Sequence, residues 1–377
     1  MDIYTLYDFC CEPAYLNRIK TLHLRESGLD GLSNIFSRLT VHSPIISKVI
    51  IEVTGSAYGY CPDLPPLFGN ASTIRSLSLD GLSFDMKLLR FTSLTSLNLD
   101  VPGALLPPFY DLLTANPTLE SISISAWGAI SAEGVDGPVI TLNNLVTLRC
   151  RDASKHLLSR LSLPHGTFIQ IEDTGPPLAL SRSLPISIAN LRCLAQIDSL
   201  HLTTITGVAY SGRTMDTHKV ELVGCGGSLD VHWVSGYDGL REFDPQPLSL
   251  AHVKELSITH ETTLERPRAS ELNLLSLFNA TASLEVLKLH SCPPADSHSI
   301  ISLFSDNHIC PSLHTVEVSH CGGQARWLSS LRYMAVRRRN TGLPLCKILV
   351  SPCPGINLPL STQSYVEELN NVVADSA

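Results

Sequence analysis

The chain has 377 residues, 44% of them apolar and 16% charged, so it can bury a large core and is not a disordered polymer. Lys and Arg number 27 against 35 Asp and Glu, a net charge of −8, and tracking a phosphate backbone needs clustered positive charge, so no nucleic-acid partner is expected. A single compact core rarely grows to this length, whereas an array whose units pack only on their neighbours escapes that limit.

Residues 1–18 read as an N-terminal cap. Met1-Asp2-Ile3-Tyr4 opens without a basic region, and Asp2, Asp8 and Glu12 interrupt the apolar residues, so a secretory signal is not expected. No apolar run approaches the ~20 residues that span a bilayer, so no membrane partner is expected. The 11 cysteines are odd in number and scattered, which fits reduced thiols in a cytoplasmic or nuclear protein. The glycosylation sequons at Asn70 and Asn279 then carry no weight.

From residue 19 to about 352 one pattern recurs: an apolar residue, a second three later and a third two after that. In chain order it appears as Ile19, Leu22, Leu24; Ile46, Val49, Ile51; Ile74, Leu77, Leu79; Leu94, Leu97, Leu99; Leu119, Ile122, Ile124; and Leu145, Leu148, Cys150. It returns as Ile197, Leu200, Leu202; Val253, Leu256, Ile258; Leu284, Leu287, Leu289; and Leu313, Val316, Val318. The starts are separated by 27, 28, 20, 25, 26, 52, 56, 31 and 29 residues. Each double-length gap should hold a degenerate unit, with Phe168 to Ile171 the candidate in the first and Val220 to Val223 in the second. Leu345, Ile348, Val350 would close the array, giving roughly a dozen units at the leucine-rich-repeat period.

The last two apolar residues of a triplet share one face of a short strand, and stacking such strands in parallel buries that face. The expected fold is therefore α/β: a leucine-rich-repeat solenoid with a curved parallel sheet on the concave side and helices and loops on the convex side. Helical patterns fall between strands at Leu32 to Leu39, Phe109 to Leu113, Leu272 to Phe278, Ile300 to Phe304 and Leu328 to Val336. Pro44, Pro117 and Pro311 stop the helices before the next strand. Arg337-Arg338-Arg339 reads as a solvated helix end. Cys292 and Cys321 complete the longer consensus after their triplets. Residues 126–144 read as an extended loop, and residues 203–252 as an irregular, hairpin-like insertion around Gly224-Cys225-Gly226-Gly227. Residues 353–377 read as a C-terminal tail or cap.

His260-Glu261-Thr262-Thr263-Leu264 lacks the second histidine of a zinc protease, and no G-K-[ST] follows the 224–227 glycines. No G-x-S-x-G elbow occurs. His290, Cys292, His320 and Cys321 fall at the ends of adjacent units, but the two cysteines already serve the consensus turn and no C-x-x-C pair supports them. No enzyme activity, metal or cofactor is expected.

The residues between the buried ones should face a partner. They include His23 and Arg25, Lys48 and Glu52, Asp80, Asn98 and Asp100, Arg149 and Arg151, His201, Glu255, Lys288 and His290, and Glu317. The set singled out for partner binding is Arg25, Glu52, Asp80, Asp100, Arg149, Arg151, His201, Lys288 and His290. Asp80 and Asp100 share one offset in adjacent units, which places two carboxylates side by side. Such a surface suits a partner of mixed charge; the plainer reading is that strands must show something polar to water.

The stretch from Tyr15 to about Pro352 resembles the repeat half of fungal F-box/leucine-rich-repeat-like proteins. Leu16-Asn17-Arg18-Ile19-Lys20-Thr21-Leu22-His23-Leu24, Pro117-Thr118-Leu119-Glu120-Ser121-Ile122 and Leu284-Glu285-Val286-Leu287-Lys288-Leu289 carry the resemblance. So does Leu157 to Ile171, with its Leu163-Pro164-His165-Gly166-Thr167 turn. It implies a substrate-recognition surface, and an upstream F-box that docks a Skp1-like adaptor of a cullin-type ubiquitin ligase. Residues 1–18 are too few for such an F-box, so a protein-recognition module is the stronger expectation. The alternative is a stand-alone structural or regulatory scaffold that binds through the 203–252 insertion.

Overall fold

In the computed structural model the structure is described for residues 18–26, 45–53, 72–81, 91–102, 106–127, 137–151, 154–173, 180–208, 214–224, 227–235, 245–262, 274–306, 308–321 and 326–351. The helical pattern expected at Leu32 to Leu39, most of the N-terminal cap and the 353–377 tail lie outside them. The architecture is mixed α/β, with extensive, mostly parallel and open β-sheet and few helices. The chain divides into two compact units, residues 1–171 with 187–192, and residues 172–186 with 193–377.

The first unit contains β1 (Thr21–Glu26), β2 (Lys48–Val53), β3 (Ser76–Asp80), β4 (Ser96–Pro102), β5 (Ser121–Trp127), β6 (Ile140–Thr141), β7 (Thr147–Arg151), β8 (Leu161–Ser162) and most of β9 (Thr167–Asp173). Its main sheet runs β1-β2-β3-β4-β5-β7-β9, while β6 and β8 pair separately. Parallel register aligns Leu22, Val49, Leu77, Leu97, Ile122 and Leu148 in one row. It aligns Leu24, Ile51, Leu79, Leu99, Ile124 and Cys150 in another, and every member of both rows is buried. The triplet spacing produces this directly, because positions two apart share a face.

A turn prepares the entries to β5 and β7. The Leu119 N–H donates to Asn116 O at 3.3 Å and the Leu145 N–H to Leu142 O at 3.2 Å. Helix α1 (Leu106–Ala115) buries Phe109, Tyr110, Leu112 and Leu113. It ends where Pro117 disfavours helical geometry in the preceding residue. Buried Asn116 then joins helix to strands: its Oδ1 accepts from Leu94 N at 2.9 Å, and its Nδ2 donates to Phe91 O at 2.7 Å and Leu112 O at 2.8 Å. Helix α2 (Ser154–Ser159) buries Leu157 and Leu158, and the Tyr110 hydroxyl donates to His156 O at 2.7 Å.

The second unit contains α3 (Leu180–Ser183), β10 (Ile197–Val208), β11 (Thr214–Gly224), β12 (Gly227–Ser235), β13 (Glu255–Thr262), β14 (Val286–His290), β15 (Thr315–Ser319) and β16 (Lys347–Ser351). Its strand order is β12-β11-β10-β13-β14-β15-β16. From β10 through β13 to β16 the pairing is parallel, and Leu200, Leu256, Leu287, Val316 and Ile348 form a buried row. In the adjoining row Leu202, Ile258, Leu289 and Val318 are buried and Val350 is half-buried. The entry turn recurs: Val253 N to Leu250 O at 3.0 Å, Leu284 N to Thr281 O at 3.0 Å, and Leu313 N to Cys310 O at 3.1 Å. Helices α4 (Leu275–Ala280), α5 (Pro294–Leu303) and α6 (Arg326–Asn340) lie between these strands in sequence.

Four expectations need correcting. Val220 to Val223 is not a degenerate parallel unit: it lies in β11, which pairs antiparallel with both β10 and β12. The hairpin expected around Gly224 is present, and a Cβ on Gly224 would overlap the Gln196 carbonyl oxygen. The departure from parallel order also begins late, because β10 itself continues to Val208. Within 126–144, β5 runs on to Trp127 and Ile140 enters β6, so that segment is not simply loop.

The fourth correction concerns the basic run. Arg337 and Arg339 are exposed, but Arg338 is 0% exposed. Its guanidinium donates to the carbonyls of Ile309 (3.4 Å), Cys310 (3.1 Å), Pro311 (3.2 Å) and Leu313 (3.1 Å). The turn into β15 brings these carbonyls together, the Cys310 carbonyl also accepting from Leu313 N–H, and a buried fork of N–H donors supplies them with hydrogen bonds. Among the described residues no helix is long and apolar enough to cross a membrane.

Candidate functional site: the polar face of the sheet

Strand residues that alternate with the buried rows form a face of their own. In the first unit, register places Arg25, Glu52, Asp80, Asp100, Ser125 and Arg151 in one continuous row across six strands. Two residues earlier along each strand runs a second row of His23, Ile50, Ser78, Asn98, Ser123 and Arg149. Five of the sequence-predicted residues therefore share one line, and Arg149 sits one row away.

Both ends of that line are basic and its middle is acidic. Glu52 is engaged from the β1 side, with His23 Nε2 at 3.3 Å and Arg25 Nε at 3.8 Å. Asp80 has Glu52 on one flank and Asp100 on the other. Burial, the Asp100 charge, a hydrogen bond shared with Asp100 and the Glu52 charge all push the Asp80 carboxyl above its ordinary value. The next residue fixes this pair. Gly81 has φ +71° and donates its N–H to Asp100 O at 3.1 Å, and a Cβ there would come 2.6 Å from Val53 O. Only glycine fits that turn without strain. Below the acids, Asn98 Nδ2 donates to Ser78 Oγ at 2.9 Å.

The remaining predicted residues, His201, Lys288 and His290, belong to the second unit and do not join that row. His201 aligns with Ser257, Lys288 and Glu317 on one side and with Glu221 and Asp230 on the other. Here opposite charges meet. Lys288 Nζ reaches Glu255 Oε1 at 2.7 Å. Lys219 Nζ lies 3.4 Å from both Glu221 and Asp230. Burial works against the Lys219 ammonium, but Asp230 and Glu221 together outweigh it and hold its pKa up. His290 Nδ1 is 2.9 Å from Ser319 Oγ, and its ring meets that of His320 edge-on at 4.9 Å.

Sequence reasoning missed Lys219, Glu221, Asp230 and His232. The alternation Lys219-Val220-Glu221-Leu222 and Asp230-Val231-His232 carried the signal, but reading the segment as an insertion removed it from the face. Asp230 is 7% exposed, and its Oδ1 lies 3.1 Å from His232 Nε2. Neither atom has a hydrogen bond of acceptable geometry.

Among the described residues no three His, Cys, Asp or Glu side chains converge to hold a metal ion. No protein-family model matches the chain, and no curated protein matches its sequence.

Proposed function

We propose that the chain is a non-catalytic, protein-binding scaffold of the leucine-rich-repeat solenoid type, with the polar strand face as its docking surface. The observation that carries this reading is the Arg25–Glu52–Asp80–Asp100–Ser125–Arg151 row, in which two carboxylates sit directly opposite each other. Like charges across neighbouring strands weaken a sheet. Folding gains nothing from that placement, whereas a partner's cation set between the two acids would offset the repulsion. Flanking arginines would hold the partner's own carboxylates, giving register and specificity. The partner is another protein.

The test is affinity purification of the chain from its native cells, with mass spectrometry of what accompanies it, against an Asp80→Lys/Asp100→Lys variant. Loss of the same partners from the variant, with unchanged circular dichroism, supports the reading. An unchanged partner set sinks it. Recovery of a Skp1-like adaptor with a cullin assigns the substrate-recognition role in a ubiquitin ligase; recovery of other proteins alone assigns a free-standing scaffold.

A second reading has its own support. The β11–β12 hairpin holds Asp230 and His232, with polar atoms buried and without hydrogen bonds. Binding through the hairpin is separated from binding through the face by deleting residues 224–227. That deletion removes the partner in the second reading and spares it in the first.

A further inference from the structure

Cys292 and Cys321 stand apart from the polar face. Each lies two residues beyond the end of its strand, and the His290–Ser319 register brings the two exits alongside each other. The residue before each cysteine is left-handed, Ser291 at φ 55° and His320 at φ 56°. The two exits thus turn in the same way, and both cysteines point back toward the sheet. The Cys292 thiol lies 3.4 Å from Ile258 O, and the Cys321 thiol 3.8 Å from Leu289 O, the equivalent carbonyl one strand further on.

Adjacent strands lie ~4.7–4.9 Å apart, inside the ~4.4–6.8 Å Cα separation that a disulfide spans. Both thiols are free. Their surroundings differ: Cys292 is 2% exposed, whereas Cys321 is half-buried and open to a small reagent.

We propose that Cys321 and Cys292 form a peroxide-responsive thiol pair, Cys321 as the attacking sulfur and Cys292 as the resolving one, which closes a disulfide between the β14 and β15 exits. The oxidant is hydrogen peroxide. The Cys321 thiolate attacks one peroxide oxygen, the O–O bond breaks, and the departing hydroxide takes a proton to become water. Cys321 is now a sulfenic acid. The Cys292 sulfur attacks Cys321, the S–O bond breaks, and that hydroxide leaves as a second water with the Cys292 proton. Two thiols have lost two electrons, and the peroxide has gained them.

The division of roles follows from the local chemistry. The neighbouring Cys292, opposed by burial and aided by Ser297, lowers the Cys321 thiol and so favours its thiolate. Cys321 in turn, burial and the negative charge of Asp296 push Cys292 well up, so it keeps its proton until a leaving hydroxide removes it. Helix α5 supplies both Asp296 and Ser297, and each is buried. His290 and His320 lie just before the two cysteines along the chain.

The experiment treats the intact chain with hydrogen peroxide, then unfolds it in denaturant with a maleimide to block every remaining thiol, and maps each cysteine by peptide mass spectrometry. The expected result is loss of maleimide labelling at Cys292 and Cys321 together. A cross-linked peptide pair should join them and should be released by a dithiol reductant. In Cys292→Ser, which keeps a donor for Ile258 O, a sulfenic acid should persist at Cys321 and be trapped by dimedone. In Cys321→Ser, Cys292 should stay a labelled thiol. The mapping of the unsubstituted chain decides the matter even if a variant fails to fold. Continued labelling of either cysteine while others oxidise, or a cross-link from Cys321 mainly to exposed Cys346, overturns the proposal.

Discussion

The two units share a ladder of parallel strands, to which the second adds the antiparallel β11 and β12, and their polar faces carry charge differently. In the first, the parallel ladder sets Asp80 against Asp100 and leaves Glu52 on their flank. In the second, Lys288 reaches Glu255 at 2.7 Å, and Lys219 lies between Glu221 and Asp230 at 3.4 Å from each. The buried rows beneath are alike, leucine, isoleucine and valine in register on both sides. The core therefore constrains only every second residue of a strand. What the alternate residues do is set separately: the first unit pairs Glu52 with His23 and Arg25 and yet keeps Asp80 beside Asp100.

The comparison first requires that the cores be equivalent. Leu97 is 1% exposed in the first unit and Leu287 0% in the second. Leu97→Ala and Leu287→Ala should each cost ~2–5 kcal/mol in urea unfolding. A small loss in one unit alone would mean that its strands are not packed as described. Arg338→Met tests the buried guanidinium of the second unit. It removes side-chain donors from four carbonyls at one turn, of which Cys310 alone keeps the Leu313 N–H, and a buried unsatisfied group costs ~1–3 kcal/mol, so the loss should at least reach that range. A loss under ~0.5 kcal/mol would place Arg338 among ordinary surface residues. The faces should then respond with opposite signs. Lys288→Ala should destabilise by ~0.2–1 kcal/mol, because a cross-strand pair of opposite charge is lost, whereas Asp80→Asn should stabilise by a similar ~0.2–1 kcal/mol. Equal signs would remove the electrostatic contrast.

The parts of this organisation legible in the sequence were those fixed by short-range periodicity. Triplet spacing determined which residues are buried and in which register, so the adjacency of Asp80 and Asp100 could be read before any coordinates. Strand direction in the 203–252 segment could not, because an apolar alternation looks the same in parallel and antiparallel pairing. Only the tight Gly224–Gly227 connection gave the hairpin away. Arg338 was illegible for a different reason. Its neighbours Arg337 and Arg339 are solvated, and the feature that buries it, a turn of converging carbonyls at 309–313, lies well back along the chain. The candidate residues divided in the same way: offsets placed Arg25, Glu52, Asp80, Asp100 and Arg151 together, but offsets alone did not assign His201, Lys288 and His290 to another unit.

The smallest expected effect is the most specific to the acid pair. The Asp80 carboxyl titrates above its ordinary value of 3.8 in the folded chain, through burial, the Asp100 charge and its hydrogen bond with Asp100, and Glu52. An unfolded Asp80 sheds its proton near the ordinary value, so between the two values the native state binds more protons than the unfolded one. Stability from this group is then fully present below 3.8 and is lost as pH rises through the folded-state value. Many carboxylates titrate in acid, so the raw melting curve does not isolate Asp80, but its difference from Asp80→Asn does. The advantage of the asparagine variant should be absent near the ordinary value, grow as pH rises through the folded-state value and level off by neutral pH. High salt should shrink it, because the repulsion lies on a solvent-facing strand and is open to screening. An advantage independent of both pH and salt would mean that the amide merely packs better, and the two carboxylates would lose their place as the charged centre of the face.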